Sequence, residues 1–482
     1  YENDGLGRLI TVREYYDTYL APDWNAANPV RTQYTYDPQG NLTQVTDALG
    51  HLTRIGYDPL GRKIWMDDPS MGYWTYRYDD AGNLIEQTDA EGRTLTFAYD
   101  ALNRLTHKRH AGALLAEYGY DQGVNGIGRR TVMTDTSGVT AWQYDAQGRT
   151  LAEAKTIAGA GTFATAWEYN AAGRVITTTY PTGEAVRTTY NWRGLPETVA
   201  GLDAYLTAAT YNAAGQPLRQ TWGNTRQTSY AYEADTLRIQ RLQVTGGLLD
   251  LGYTYDDVGN ITRITDAANA GQAQTFTYDA RDRLLTAQTT AVGQGQYHET
   301  YGYDLMGNII TRTIGGQAIA YTYGRRYGLN LPAPTTPVTN TYQIYLPLVA
   351  RNHDPQRLEQ PFAVVATSAG FRAGYDRNGN MLARVEVSGT ETITYTQEWD
   401  VENRLRVVTN TVTGDVTRFV YDGDGARVLR EAPGSLTAYI GAVEVAISGT
   451  QRFTTSYYFA GGQRVAMREG GTLTYLHGDH LG

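Results

Sequence analysis

The run Thr94-Leu95-Thr96-Phe97-Ala98-Tyr99 alternates apolar and small or polar side chains. Leu95, Phe97 and Tyr99 share one face, which is the period-two signature of a strand. The same kind of run recurs along the chain and closes on two aromatics spaced by two. The pairs are Tyr34 and Tyr36, Tyr76 and Tyr78, Tyr118 and Tyr120, Trp142 and Tyr144, and Trp167 and Tyr169. Tyr253 and Tyr255, Phe276 and Tyr278, Tyr301 and Tyr303, and Phe419 and Tyr421 continue the series. This spacing predicts rings stacked into ladders from unit to unit across a sheet.

Each run ends in a corner of the form Tyr-Asp-x-x-Gly, followed by Arg or Asn. Copies stand at Tyr36-Asp37 with Gly40, Tyr57-Asp58 with Gly61, Tyr78-Asp79 with Gly82, and Tyr144-Asp145 with Gly148. Others are Tyr255-Asp256 with Gly259, Tyr303-Asp304 with Gly307, Tyr375-Asp376 with Gly379, and Tyr421-Asp422 with Gly425. Asp opens a type I turn because its carboxylate caps the backbone ahead. Gly at the fourth position accepts a left-handed backbone, which costs a side chain with Cβ about 1–2 kcal/mol, least for Asn or Asp. The exceptions obey that rule: Tyr99-Asp100 is followed by Asn103, Trp399-Asp400 by Asn403, and Tyr278-Asp279 by Asp282.

A second turn, such as Asp89-Ala90-Glu91-Gly92, lies between successive corners. Motif tyrosines at 36, 57, 78, 99 and 120 are 21 residues apart. Later steps of 20–25 residues predict extra length in the second turn, as from Asp266 to Gly271. One unit is thus a hairpin, and an isolated hairpin is marginal, so stability must come from stacked neighbours. The fold class is all-β: antiparallel hairpin repeats forming one long curled sheet. Seventeen motif positions between Tyr36 and Tyr421 imply some 34 strands. At about 4.8 Å per strand the ribbon is roughly 160 Å wide. Twisted sheets of that width curl, and a single closed turn of it would be about 50 Å across by the same spacing. The expectation is a hollow body or a spiral groove.

The chain divides into four segments: repeat shell over 1–328, an insertion over 329–370, shell again over 371–438, and terminal apolar strands over 439–482. The insertion opens with a proline-rich run from Leu331 to Pro337. Tyr342 to Val349 reads as one strand, and Asp354 to Gln360 as a single helical turn. Residues 3–9 are already a variant of the motif, so the chain reads as a fragment of something larger.

Composition narrows the function. Tyr numbers 39 and Gly 53 against 8 Phe, a bias that suits turns and amphipathic rings. Net charge is −9, with 41 Lys and Arg against 50 Asp and Glu and no basic run, which argues against a nucleic-acid surface. With no cysteine there is neither a disulfide nor a thiolate metal site. No apolar run is long enough to span a bilayer.

The repeated Tyr-Asp-x-x-Gly-Arg/Asn motif resembles the Rhs/YD-repeat proteins. So does the closing Tyr475-Leu476-His477-Gly478-Asp479-His480-Leu481-Gly482, which is similar to the start of the Rhs-associated core. The resemblance covers nearly the whole chain except the insertion. It implies a β shell spiralling into a cocoon, as in Rhs polymorphic toxins, the shell subunits of insecticidal toxin complexes, and teneurins. It further implies a secreted or envelope-exposed bacterial protein that encloses and delivers a C-terminal toxin polypeptide of its own chain. A secretion apparatus would be a further partner. Aspartyl self-cleavage in such proteins falls beyond the core motif, so no catalytic residue is carried over. The alternative is a cell-surface or wall-associated adhesion protein that binds glycans.

No enzyme site or cofactor is expected. His477, Asp479 and His480 are metal-ligating types, yet a core-motif turn explains them as well. His107 and His110 read as surface residues. Asp376-x-Asn378-x-Asn380 and Asp422-x-Asp424 open like a calcium loop but lack the distal glutamate, and turn chemistry accounts for both. Aromatic faces read as the packed layer of the shell. A rim of exposed Trp would favour glycan binding, and Trp24, Trp65, Trp192 and Trp222 lie outside the commonest ladder position.

Overall fold

The computed structural model describes residues 1–14, 29–269, 272–289, 297–324, 363–388 and 391–479. Among them are 41 strands and no helix. Each strand pairs antiparallel with the next in sequence, from Glu2–Asn3 through to Thr472–Tyr475, in one sheet that does not close. Alternation acts as expected: Leu95 is buried and Phe97 and Tyr99 half-buried, while Thr96 and Ala98 are exposed.

A register shift recurs at the motif tyrosine. Tyr57 pairs with Lys63, Tyr78 with Leu84 and Tyr99 with Leu105, each beside a bulge. The fourth corner residue supplies the left-handed backbone, with φ of 90° at Gly82, 60° at Asn103, 59° at Asp282 and 61° at Asn403.

Extra length does not always sit in the second turn, contrary to expectation. Between Tyr120 and Tyr144 the corner itself is enlarged, because nine residues separate the strand Ala113–Tyr120 from Arg130–Asp135. Between Tyr144 and Tyr169 the strands lengthen instead, to Thr150–Ile157 and Gly161–Tyr169.

The ribbon carries on across the insertion. Gln317–Tyr323 pairs with Val364–Thr367, so the ribbon resumes before residue 371. The insertion therefore leaves and re-enters at a corner, where the Gly324 N–H donates to the Ala363 carbonyl. The proline-rich run, the strand expected at 342–349 and the helical turn expected at 354–360 lie outside the described residues.

The ribbon also meets itself. The turn after the eighth strand (Leu84–Thr88) touches the corner after the thirty-first (Arg372–Tyr375), twenty-three strands later. One revolution at about 4.8 Å per strand is thus some 110 Å around and about 35 Å across at the backbone. This corrects the 50 Å figure, which assumed a single turn using the whole ribbon. Sheets pack face to face at about 10 Å, so opposite walls stand too far apart to touch. The largest apolar cluster lies where the revolutions overlap. It joins Ile157, Phe163, Val199, Leu206 and Trp222 to Val428, Ile440, Val443, Tyr458 and Val465.

Candidate functional site

The repeating corner is the chemical unit of the surface. At Asp79, one carboxylate oxygen accepts the Asn83 N–H at 2.8 Å and the other accepts the Asn83 amide at 2.9 Å. The Gly82 N–H donates to the Asp79 carbonyl at 3.1 Å. Where Arg replaces Asn, it also reaches the next unit. Arg62 Nε donates to Asp58 at 2.6 Å, its Nη1 donates to the Asp79 carbonyl at 2.9 Å, and its guanidinium lies 5.1 Å over the Tyr78 ring. The Arg62 backbone N–H, helped by its guanidinium, holds the Asp58 carboxyl below the usual range. The Asn83 side chain leads the same effect at Asp79.

The motif tyrosine has a specific task. Tyr57 donates its hydroxyl to the Leu42 carbonyl at 3.0 Å, Tyr78 to Lys63 at 3.0 Å, and Tyr99 to Leu84 at 2.9 Å. Tyr36, Tyr144, Tyr255, Tyr303, Tyr375 and Tyr421 make the equivalent bond. Where Trp399 stands in the tyrosine position, its indole N–H donates to the Met381 carbonyl at 2.7 Å. Burial raises the Tyr99 phenol, aided by the Asp79 charge, and burial pushes Tyr232 up to about 12.

Among the described residues the stacked ring pairs do not join motif tyrosines from unit to unit. Motif tyrosines occupy every second strand, about 10 Å apart, and side chains of the strand between fill the gap. Arg8 lies 4.9 Å over Tyr36, Arg104 4.4 Å over Tyr120 and Lys63 4.4 Å over Tyr76. Where Arg or Lys stands at these positions, ring and cation alternate.

Between revolutions runs a seam that sequence reasoning missed. Second turns of the first revolution meet corners of the second. Asn378, 9% exposed, accepts the Ala90 N–H at 2.9 Å and donates to Asp89 at 2.7 Å. Arg93 donates to the Asp400 carbonyl and to Asn403. Lys108, 7% exposed, pairs with Glu402 and donates to the Gly423 carbonyl at 2.9 Å, which also accepts Tyr118 at 2.8 Å. The Gly423 N–H donates to Asp135 at 2.7 Å. Lys155 pairs with Asp422 at 2.8 Å, and Arg130 grips Asp424 with two bonds. Gly423 has to be glycine: a Cβ there would sit 2.8 Å from the Ala116 Cβ and 2.9 Å from Met133 Sδ. The only sequence signal was the pair of calcium-like runs, whose side chains are spent on turns and seam.

Further along, Glu184 accepts from Tyr205, Tyr458 and the Leu202 N–H within the buried overlap. The Tyr205 and Tyr458 rings stack 3.7 Å apart.

Other candidates disperse. Among the described residues no group of three or more His, Cys, Asp or Glu is arranged to hold a metal ion. His477 packs edge-on against Trp222, and His480, Leu481 and Gly482 lie outside the described residues. His107 and His110 are partly exposed on the strand Leu105–His110; His110 Nδ1 meets the Thr94 carbonyl. Among the described residues the tryptophans form no rim. Trp222 is 1% exposed, Trp65 is half-buried against Tyr73, and Trp192 is 93% exposed at a corner tip; Trp24 is outside the described residues. A shallow depression lined by Glu168, Asn170, Arg187 and Tyr190 is open to solvent.

The RHS repeat family model matches residues 27–52, 36–70, 73–113 and 255–294. Double-stranded DNA deaminase toxin A of Burkholderia cenocepacia (strain H111) is 39% identical over 83 residues, 16% of this chain and 6% of that protein. Among solved structures, TcdB2-TccC3 superposes with a TM-score of 0.77 at 18% identity, over 99% of this chain and 27% of that one. A Tc holotoxin pore of Photorhabdus luminescens gives 0.76 at 19% identity, over 98% and 26%. At such identity the likeness shows the fold. The chain spans 6% of the length of its curated relative and about a quarter of these structural neighbours.

Proposed function

We propose that this chain, built of RHS repeats and folded like a Tc-toxin shell, is a structural wall that encloses and delivers a polypeptide located after it in the same protein. The observation that carries the reading is the self-meeting ribbon. Its revolutions are sealed edge to edge by buried side chains, and its walls stand too far apart to fill the space between them. A sealed wall around a space suits containment. In this reading the role is structural rather than catalytic, and the protein works secreted or at the bacterial envelope.

The test is protease protection in the whole reading frame. The segment after Gly482 should resist digestion when attached to the shell and be digested quickly when expressed alone. Equal digestion of the two forms, or a reading frame ending within a few residues of Gly482, would sink the proposal.

A second reading, contact with cell-surface glycans, is favoured by one observation. Trp192 projects almost fully exposed from its corner, and exposed rings stack on sugars. A glycan array probed with the chain and with Trp192→Ala tests it; binding unchanged by the substitution, or no binding, counts against it.

A further inference from the structure

The overlap ends on a side chain whose chemistry differs from the rest of the seam. After the last strand, Thr472–Tyr475, the chain crosses the turn that joins the strands Pro217–Trp222 and Gln227–Tyr232. Tyr475 donates its hydroxyl to the Ala204 carbonyl at 3.0 Å. Two residues on, the His477 ring meets the Trp222 indole edge-on, with centroids 4.9 Å apart and planes at 79°. Its Nδ1 lies 3.3 Å from Thr228 Oγ1. That hydroxyl oxygen already accepts the Trp222 indole N–H at 2.9 Å, so its one proton is free to go to the imidazole. Nδ1 is then the acceptor and Nε2 carries the ring proton. Nε2 is buried and has no hydrogen-bond partner among the described residues.

We infer that His477 is a pH-sensitive pin: neutral, it fastens the end of the ribbon to the first revolution, and protonated, it lets that end go. Protonation puts a proton on Nδ1, the atom that receives the Thr228 hydroxyl. The Thr228 hydroxyl has a second lone pair and can turn to accept that N–H beside its bond from Trp222, so the cost of protonation lies in the buried charge. Protonation places a whole charge on a buried ring whose Nε2 has no acceptor among the described residues, with Arg226 adding a like charge. The groups facing the ring from the adjoining elements are Trp222, Arg226 and Thr228. Arg226 is itself tied to the Thr245 carbonyl. Tyr475 lies on its own segment, and Asp479 has interactions of its own.

Burial, with Arg226 adding to it, lowers the His477 pKa from its ordinary 6.5. The sign comes from linkage. A depressed folded value means that the stabilisation is complete above the unfolded value near 6.5 and is lost as pH falls through the folded value. The other seam partners named above are carboxylates, Lys, Arg, amides and backbone groups, with no histidine among them. Mild acid should therefore loosen the terminus before the seam or the ribbon. The inference deepens the containment reading by naming the place where the wall yields to the polypeptide beyond it. It does not need a cargo to be tested.

The experiment is hydrogen exchange by mass spectrometry on the chain from pH 7.5 to 5, corrected for intrinsic exchange. Peptides covering 219–229 and 472–479 should lose protection below pH 6.5, by up to about tenfold per pH unit for one coupled proton. Strands in 30–120 should not change. His477→Gln, which is neutral throughout, should flatten the response. Uniform protection across the range in the parent protein, or the same pH response in the Gln variant, overturns the inference. Should the variant fail to fold, imidazole carbon shifts of the parent protein decide: a buried histidine titrating below 6.5 is expected, and none doing so refutes the pin.

Discussion

A phenol and a phenyl ring bury nearly the same surface, yet this chain uses 39 Tyr and 8 Phe. The excess could be read from the sequence; its cause could not. Tyr99 shows the cause. Leu84 stands beside the bulge of the Tyr78 corner, and its carbonyl accepts the Tyr99 hydroxyl of the neighbouring unit. Trp399 supports the same account, since the one aromatic that replaces Tyr in a described corner brings its own N–H donor. Tyr99→Phe removes a donor and leaves a half-buried carbonyl. It should cost about 1–2 kcal/mol, and Trp399→Phe a similar amount. Urea denaturation of each variant checks this, and an unchanged midpoint would return tyrosine to a mere packing role.

At the scale of the hairpin unit, the sequence showed which residues tolerate a left-handed backbone but not why Asn and Asp appear only at some corners. The structure supplies a neighbour rule. At some corners the Arg that ends the preceding corner lies across the fourth residue, which must then lack a Cβ, whereas at Gly82 and Gly307, which also follow Arg-ended corners, a Cβ would meet nothing within 4 Å. At Gly194 a Cβ would come within 2.0 Å of Arg174, and at Gly259 within 2.6 Å of Arg238. Asn at the end of a corner leaves that space more open, and a side chain fills it at three of the following corners, while Gly61 after Asn41 stays glycine. Asn83 donates to Asn103 at 2.8 Å, Asn260 to Asp282 at 2.9 Å, and Asn380 to Asn403 at 2.7 Å. Gly194→Asn should therefore destabilise by more than the left-handed backbone alone demands, about 1–2 kcal/mol. Adding Arg174→Asn should recover part of the loss, with a coupling of about 0.5–3 kcal/mol. A double-mutant cycle read by thermal melting measures it, and strictly additive effects would refute the rule.

At the scale of the whole molecule, periodicity revealed a curling ribbon but neither its pitch nor its seal. Repeat spacing is local, whereas the seam joins residues such as Asp89 with Asn378 and Asp135 with Gly423, separated by 289 and 288 positions. Their types are ordinary turn residues, so nothing in the pattern sets them apart. The energetics separate the two levels. Hairpins are held by backbone ladders, and the seam by side chains. Lys108→Met keeps the apolar stem and removes the ammonium that pairs with Glu402 and donates to Gly423. Glu402 retains Arg404, and the Gly423 carbonyl retains Tyr118, so the loss should be moderate, about 1–3 kcal/mol. Because the chain has no cysteine, a fluorophore pair can be placed across the seam through two introduced thiols. In urea the pair should separate earlier in Lys108→Met than in the parent, while the far-ultraviolet β signal keeps its midpoint. If both signals move together, seam and ribbon are one cooperative unit, and the wall cannot part along that line without unfolding.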